Sequence, residues 1–488
     1  MKKLLFCIAA ILCCNAFSQG YNNWWVFGDS ALLDFTTGTP QYGNSSIITN
    51  ETCASISDTE GNLLFYTNGE KVWNSAHSLM PSGDGLDLGG LFPPFGTSIT
   101  QGALIIPKPG STNLYYVIQM QNYGGIYDIG LKYSIVDMTL NGGLGDVTEK
   151  NIPFFDIYTE EKMQAVKHGN GRDWWLIVRR YDTITADIKN IDFVKFLITP
   201  AGISPAEFQH YGPEYNEFLD TGWGQMIFSQ DGSRMLFPRQ LDLNLFDFDR
   251  CTGEFSNLVE IKNIEATSYG CSFSPDGTKI YVSGVCEKKI FQYCLTCDGE
   301  PIDSTKELVY EGPTGQFCLA QHQLGPDGKI YIATVYNIIP NDVFNSKNQN
   351  LCVINNPNEI YPLCDFDTNT VSLGTRRVIG ALPNMPNYNL GALVGSECDT
   401  LGTSVKNLLA KTKINIYPNP ANDELYLNCE SDIELNYSLK TILGSEIRSG
   451  NFIGKETIDM LEIASGVYII EISDNLGKIK YSEKIVKE

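Results

Sequence analysis

One unit recurs along the chain: an apolar strand, a turn built on Gly or Asp-Gly, and a second strand dense in aromatic and β-branched residues. The clearest copies run from Ile227 through Asp231-Gly232 to Phe237, from Ser272 through Asp276-Gly277 to Val282, and from Gln323 through Asp327-Gly328 to Ile332. Weaker copies turn at Gly61, Gly110 and Gly171, so the turn glycines stand 49, 61, 61, 45 and 51 residues apart. Asp-Gly suits a hairpin between antiparallel strands, because glycine takes positive φ without a Cβ clash and the Asp carboxylate can accept from nearby backbone N–H groups. A repeat of this length matches a four-stranded propeller blade. The aspartates therefore need no metal to explain them.

Six turns are visible, and strands are left over at both ends. Trp24 to Gly28 with Leu32 to Phe35 resembles the outer pair of a blade, and Arg377 to Asn389 could supply an inner pair. Joining them would close the ring and remove exposed sheet edges. The expectation is an all-β chain: a seven-bladed β-propeller over residues 19–395, its last blade shared between the two ends.

The front of the chain reads as an export signal. Lys2 and Lys3 precede a short apolar run from Leu4 to Cys14, and Ala16-Phe17-Ser18 offers small residues for cleavage after Ser18. Residues 1–18 are then a signal peptide, and its loss takes the net charge from −22 to −24. No later stretch is apolar and long enough to span a bilayer, so the mature chain is expected to lack a transmembrane segment. The acidity opposes any grip on nucleic acid, which depends on Lys and Arg neutralising phosphates.

Residues 396–411 are small and polar, as a linker would be. Residues 412–488 alternate in short period-2 strands separated by turn residues, which predicts a small C-terminal β-sandwich. The tail resembles the type A C-terminal sorting domain of the type IX (Por) secretion system. The motifs are Tyr417-Pro418-Asn419-Pro420, the central Gly444, the strand holding Gly466 and Tyr468, and the Lys-rich end from Lys484. The resemblance implies the outer-membrane secretion machinery and a sortase-like peptidase as partners, with release from the cell or attachment to its outer surface. The middle of the chain is similar to secreted propeller proteins of gliding bacteria, on motifs that include Trp25 to Gly28, Asn62 to Gly69 and Val136 to Asp146. That resemblance implies a fold and no particular activity.

Candidate chemistry is sparse. Eleven cysteines remain after the signal, and an exported protein can oxidise them. Cys294 and Cys297 would stand about 10 Å apart if both lay on one extended strand, beyond disulfide reach without a turn. Cys286 with Cys294 or Cys297, and Cys352 with Cys364, are the expected bridges, with Cys429 a candidate for the odd thiol. His77, His168, His210 and His322 sit in no metal or nucleophile motif, though a ring could gather the last three at its channel. There is no Gly-x-Ser-x-Gly elbow, and the glycines of residues 82–90 lack a phosphate-loop Lys. Asp242, Asp247 and Asp249, and Asp365 with Asp367, lack a calcium loop's spacing. One Trp in each of the pairs Trp24-Trp25 and Trp174-Trp175 is expected to pack between blades. No catalytic, cofactor or metal residue is assigned. A non-catalytic module binding protein or glycan is the expected function, and a secreted propeller enzyme acting on polysaccharide is the alternative.

Overall fold

The computed structural model describes residues 20–86, 97–121, 130–180, 192–212, 222–239, 241–262, 264, 267–284, 288–297, 299–313, 317–336, 343–399, 414–429, 435–441, 445–473 and 479–488. The signal segment, Cys286 and Gly444 lie outside them. The chain divides after Gly391 into two compact units. Among the described residues, no helix is long and apolar enough to cross a membrane.

Among the described residues, the first unit is a succession of seven antiparallel sheets in chain order. Three strands, Trp24–Phe27, Asp29–Asp34 and Gln41–Ile48, make the first sheet. The second to seventh open with Ala54–Ser57, Ala103–Pro107, Thr159–Lys167, Ile227–Phe228, Ser268–Phe273 and Phe317–Leu324, each followed outward by three or four further strands. Gly61, Gly110, Gly171, Gly232, Gly277 and Gly328 each turn the first strand of one of these six sheets into its second, and all have positive φ. The Asp side chains do the work expected of them. Asp231 Oδ1 accepts from Ser233 N at 3.0 Å, and Asp276 Oδ1 from Thr278 N at 3.0 Å.

Burial follows position in the sheet. Second strands such as Lys279–Gly284 are buried throughout, because neighbouring sheets cover both faces, whereas the outer strand Phe255–Ile261 alternates toward solvent. The first strands of successive sheets lie side by side, and the circuit closes where Trp25 meets Tyr331 of the seventh sheet edge-on at 5.3 Å. The unit is thus a propeller-like array.

Closure differs from the expected inner pair. Residues 377–389 form no strand, and a single bridge from Asp29 to Arg377 ties them to the first sheet. They run along the inside of the array instead. Gly380 O accepts from Gln321 N at 3.3 Å, and Asn384 N donates to Cys53 O at 2.8 Å, so the segment lies against the first strands of the seventh and second sheets. With prolines at 383 and 386 removing donors, this stretch cannot form a regular ladder.

The cysteines also depart from expectation. Cys294 and Cys297 form a disulfide, with Cα atoms 5.6 Å apart. The strand Lys289–Cys294 ends at Cys294, and the bend after it brings the pair within reach. Cys352 and Cys364 are not bridged; both are buried in one apolar cluster with Tyr281 and Ile332. Trp174 and Trp175 are both buried, not one of the two.

The second unit contains a three-stranded sheet of Ile414–Tyr417, Glu424–Cys429 and Lys455–Asp459, and a four-stranded sheet that includes Leu435–Thr441, Gly466–Ser473 and Ile479–Lys487. Leu425, Leu427, Leu439, Ile470 and Ile485 from both sheets share one core, which is what their period-2 spacing provides. Cys429 is buried in it.

Candidate functional site

The first strands of the first unit converge on a central channel, and side-chain amides cross it. Gln101 and Met226 exchange two hydrogen bonds, Nε2 to Met226 O at 3.1 Å and Met226 N to Oε1 at 2.9 Å. Gln225 does the same with His322, at 2.9 and 2.7 Å. Gln321 Nε2 donates to Thr100 O at 2.6 Å, while its Oε1 accepts from Leu382 N at 3.1 Å. Asn384 completes the set: its Nδ2 donates to Ala103 O and Met163 O, and its Oδ1 accepts from Gln101 and Gln164. An amide offers donors and acceptor at once, so it can join backbones that present both. Gln101 and Gln225 precede the first strands of the third and fifth sheets, Gln321 lies within that of the seventh, and Asn384 belongs to the strandless segment; no motif flagged the three glutamines.

Above this floor, at the end where the first strands turn, lies a cavity of about 340 Å³. Turn residues such as Gln230, Pro275 and Pro326 rim it, and the segment from Asn384 to Leu390 forms one wall. Among the described residues its lining contains no Asp, Glu, Lys or Arg. The chain holds 57 acidic and 35 basic residues, so 27 described lining residues without one are a marked local neutrality. Of the four histidines, only His322 reaches this channel. Its Nδ1 lies 3.1 Å from Ser272 Oγ, its Nε2 has no hydrogen-bond partner, and burial pushes its pKa down to about 3. It is therefore a neutral imidazole across the working pH range. His77 contacts Tyr66, His168 accompanies Cys251 O at 3.0 Å, and His210 pairs with Asp192 at 3.0 Å, all away from the cavity.

At the opposite end, where the first strands begin, a hydrogen-bonded chain links two carboxylates. Tyr269 Oη donates to Glu51 at 2.6 Å and lies 3.3 Å from Thr100 Oγ1, which in turn donates to Glu161 at 3.1 Å. Burial raises the pKa of both glutamates, and the charge of Glu161 raises that of Glu51 further. Among the described residues no group of three His, Cys, Asp or Glu side chains could hold a metal. Asp242 faces Arg239, Asp247 accepts from Asn257, and Asp367 accepts from Asn355.

In the tail, the sequence motifs knit its ends together. Asn419 Nδ2 donates to Lys484 O at 2.7 Å, and its Oδ1 accepts from Val486 N at 3.0 Å. Ala421, just past Pro420, bridges Lys487. Tyr417 and Pro418 are exposed at the strand end, Gly466 pairs with Lys487 across the sheet, and Tyr468 is buried with its Oη on Ala464 O at 2.7 Å. The motif residues hold the last strand against the first.

A propeller-like unit followed by such a tail defines a class: propeller-fold proteins delivered by the type IX secretion system. Residues 415–488 match the secretion system C-terminal sorting domain. The chain is therefore exported, to the medium or the cell surface. No curated protein matches the chain. It is similar in structure to the periplasmic gluconolactonase PpgL of Pseudomonas aeruginosa, at 10% identity and a TM-score of 0.35, covering 85% of this chain and 94% of that one. It is similar to PorZ, a surface component of the type IX secretion system of Porphyromonas gingivalis, at 10% identity and a TM-score of 0.30, covering 96% and 74%. It is also similar to the β-propeller domain of Cps50 from Myceliophteria thermophila, at 11% identity and a TM-score of 0.34, covering 65% and 97%.

Proposed function

We propose that residues 1–18 are a signal peptide, 19–395 a seven-bladed propeller, 396–411 a linker and 412–488 a sandwich-type sorting domain, and that the exported propeller is a non-catalytic binding module. The observation that carries the binding reading is the uncharged cavity at the channel mouth. General acid–base catalysis needs a group that trades protons near the working pH, and among the described residues of this lining the titratable side chains are His322, whose pKa burial lowers, and Cys271, whose pKa burial raises. A concave site that presents convergent polar groups beside apolar ones is what ligand recognition uses. The test is a thermal-shift panel of sugars, peptides, nucleosides and organic anions on the mature protein and on Gln323→Trp, which fills the cavity. A ligand bound by the first and lost by the second supports the reading; no cavity-dependent ligand refutes it.

A second reading, an enzyme acting on polysaccharide or another extracellular substrate, is favoured by one observation: Glu51 and Glu161, raised in pKa and linked through Tyr269 and Thr100. A hydrolysis screen with chromogenic glycosides, esters and lactones separates the two. Turnover abolished by Glu51→Gln would replace the first reading with the second.

A further inference from the structure

Resting on the binding reading above, we propose that the channel-mouth cavity takes the uncharged end of a neutral glycan chain, entering tip first. Three features of the cavity lead there together.

The first is its closed floor. The side-chain groups of Gln101, Gln225, Gln321 and Asn384 that cross the channel are consumed by hydrogen bonds within the protein. A polymer cannot thread through, so only a terminus or a free small molecule fits.

The second is charge. Burying an ionised group without a counter-charge is expensive. A peptide terminus brings an ammonium or a carboxylate, and a nucleotide or an acidic sugar brings an anion; none of the described lining residues would compensate them. A neutral saccharide is a polymer whose ends carry no charge.

The third is the set of groups left for a ligand. Asn22, Asn23 and Gln323 line the cavity, and among the described residues their side chains make no hydrogen bond within the protein; Asn22 Oδ1 is buried without a partner. Each amide can give and take a hydrogen bond, as hydroxyls require. Half-buried Phe228 adds an apolar face for the C–H side of a sugar ring. A purely apolar ligand would strand the amides instead, at the cost of unmet buried polar groups.

The experiment is calorimetric titration of the mature full-length protein with neutral gluco-, manno-, xylo- and galacto-oligosaccharides of two to six units, β-cyclodextrin as an endless glucan, and oligogalacturonate as an acidic control. At least one linear neutral oligosaccharide should bind, with little dependence on salt. Gln323→Ala should weaken it several-fold and Gln323→Trp at least tenfold, with circular dichroism unchanged. Cyclodextrin and oligogalacturonate should not bind at the cavity. Silence across the neutral panel, or binding of the cyclic or acidic probe that Gln323→Trp abolishes, overturns the glycan inference. If the wider panel then yields another uncharged ligand sensitive to Gln323→Trp, the binding reading survives without it; if it yields none, both fall.

Discussion

Asn384 holds together parts of the chain that are far apart in sequence, and replacing it tests whether the channel amides are structural. Its side chain is 7% exposed and takes part in four hydrogen bonds, to Ala103 O at 3.2 Å, Met163 O at 3.0 Å, Gln101 at 3.2 Å and Gln164 at 3.1 Å. Leucine has a similar shape and none of this capacity. Each lost bond costs about 1 kcal/mol, and more where the abandoned group stays buried, so Asn384→Leu should cost about 4–6 kcal/mol. Asn384→Asp is the sharper variant. Its two oxygens still accept from Gln101 and Gln164, but one now faces two carbonyls with no hydrogen to offer. It should be as damaging as leucine at neutral pH and partly recovered in acid, where a protonated carboxyl can donate to one carbonyl. Guanidinium denaturation followed by tryptophan fluorescence reads the first unit alone, since all 6 tryptophans precede Gly391. With a slope of about 5 kcal/mol per M for a unit of this size, the loss appears as a midpoint drop of roughly 1 M. If Asn384→Asp matches the wild type at pH 7, or Asn384→Leu shifts stability by no more than a surface change does, about 0.5 kcal/mol, the channel amides are not structural.

Further outcomes follow from the same geometry. Glu51 has its pKa raised from an ordinary 4.5 to about 8. The folded state therefore keeps a proton that the unfolded state releases, and stability falls as pH rises through that window. Glu51→Gln should flatten this part of the pH profile and leave the variant the more stable of the two at pH 8.5; an unchanged slope counts against the buried carboxylate. A Cβ at Gly270 would stand 2.0 Å from Ala320 O on the first strand of the seventh sheet, whereas one at Gly328 meets nothing within 4 Å and suffers only its positive φ. Gly270→Ala should abolish cooperative unfolding, and Gly328→Ala should cost about 1–2 kcal/mol; equal effects would deny the close approach of the sixth and seventh sheets. Asn419→Ala removes both side-chain bonds to the last strand, so backbone amides of residues 481–488 should exchange with deuterium at least tenfold faster while the core of the first unit is unaffected.

The parts of this fold that were legible are those written in adjacent residues. Asp231-Gly232, Asp276-Gly277 and Asp327-Gly328 announce their turns because positive φ and the Asp carboxylate act within a few residues. Alternation in Leu425 and Leu427 announces a half-buried strand for the same reason. Cys294 and Cys297 show the limit of such reasoning: extended geometry forbids their bridge, and one bend at the strand end permits it. The channel lay further out of reach. Gln101, Gln225 and Gln321 look like ordinary polar residues until sheets separated by dozens of residues bring a carbonyl and an N–H to each of them.

That distance has a consequence for where specificity can reside. A turn glycine such as Gly232, Gly277 or Gly328 plays the same part in six of the sheets, and its positive φ ties the residue type to the turn. Part of the cavity wall comes from elsewhere: Asn22 and Asn23 lie before the first sheet, and Met385 and Asn387 belong to the segment that never becomes a strand, while Gln323 stands on the seventh sheet's first strand opposite Tyr331. Positions outside the strands answer to no ladder, and at Gln323 the ladder uses only the backbone, so these side chains can vary without disturbing the sheets around them. The floor beneath is more tightly held, because Asn384, Gln101 and Gln225 hydrogen-bond the backbone of Ala103, Met226 and His322. A neutral lining on that floor is thus a property of this chain's cavity residues and not a requirement of the sheets that carry them. Introducing Lys or Asp at 323 should leave the array folded while changing what the cavity accepts.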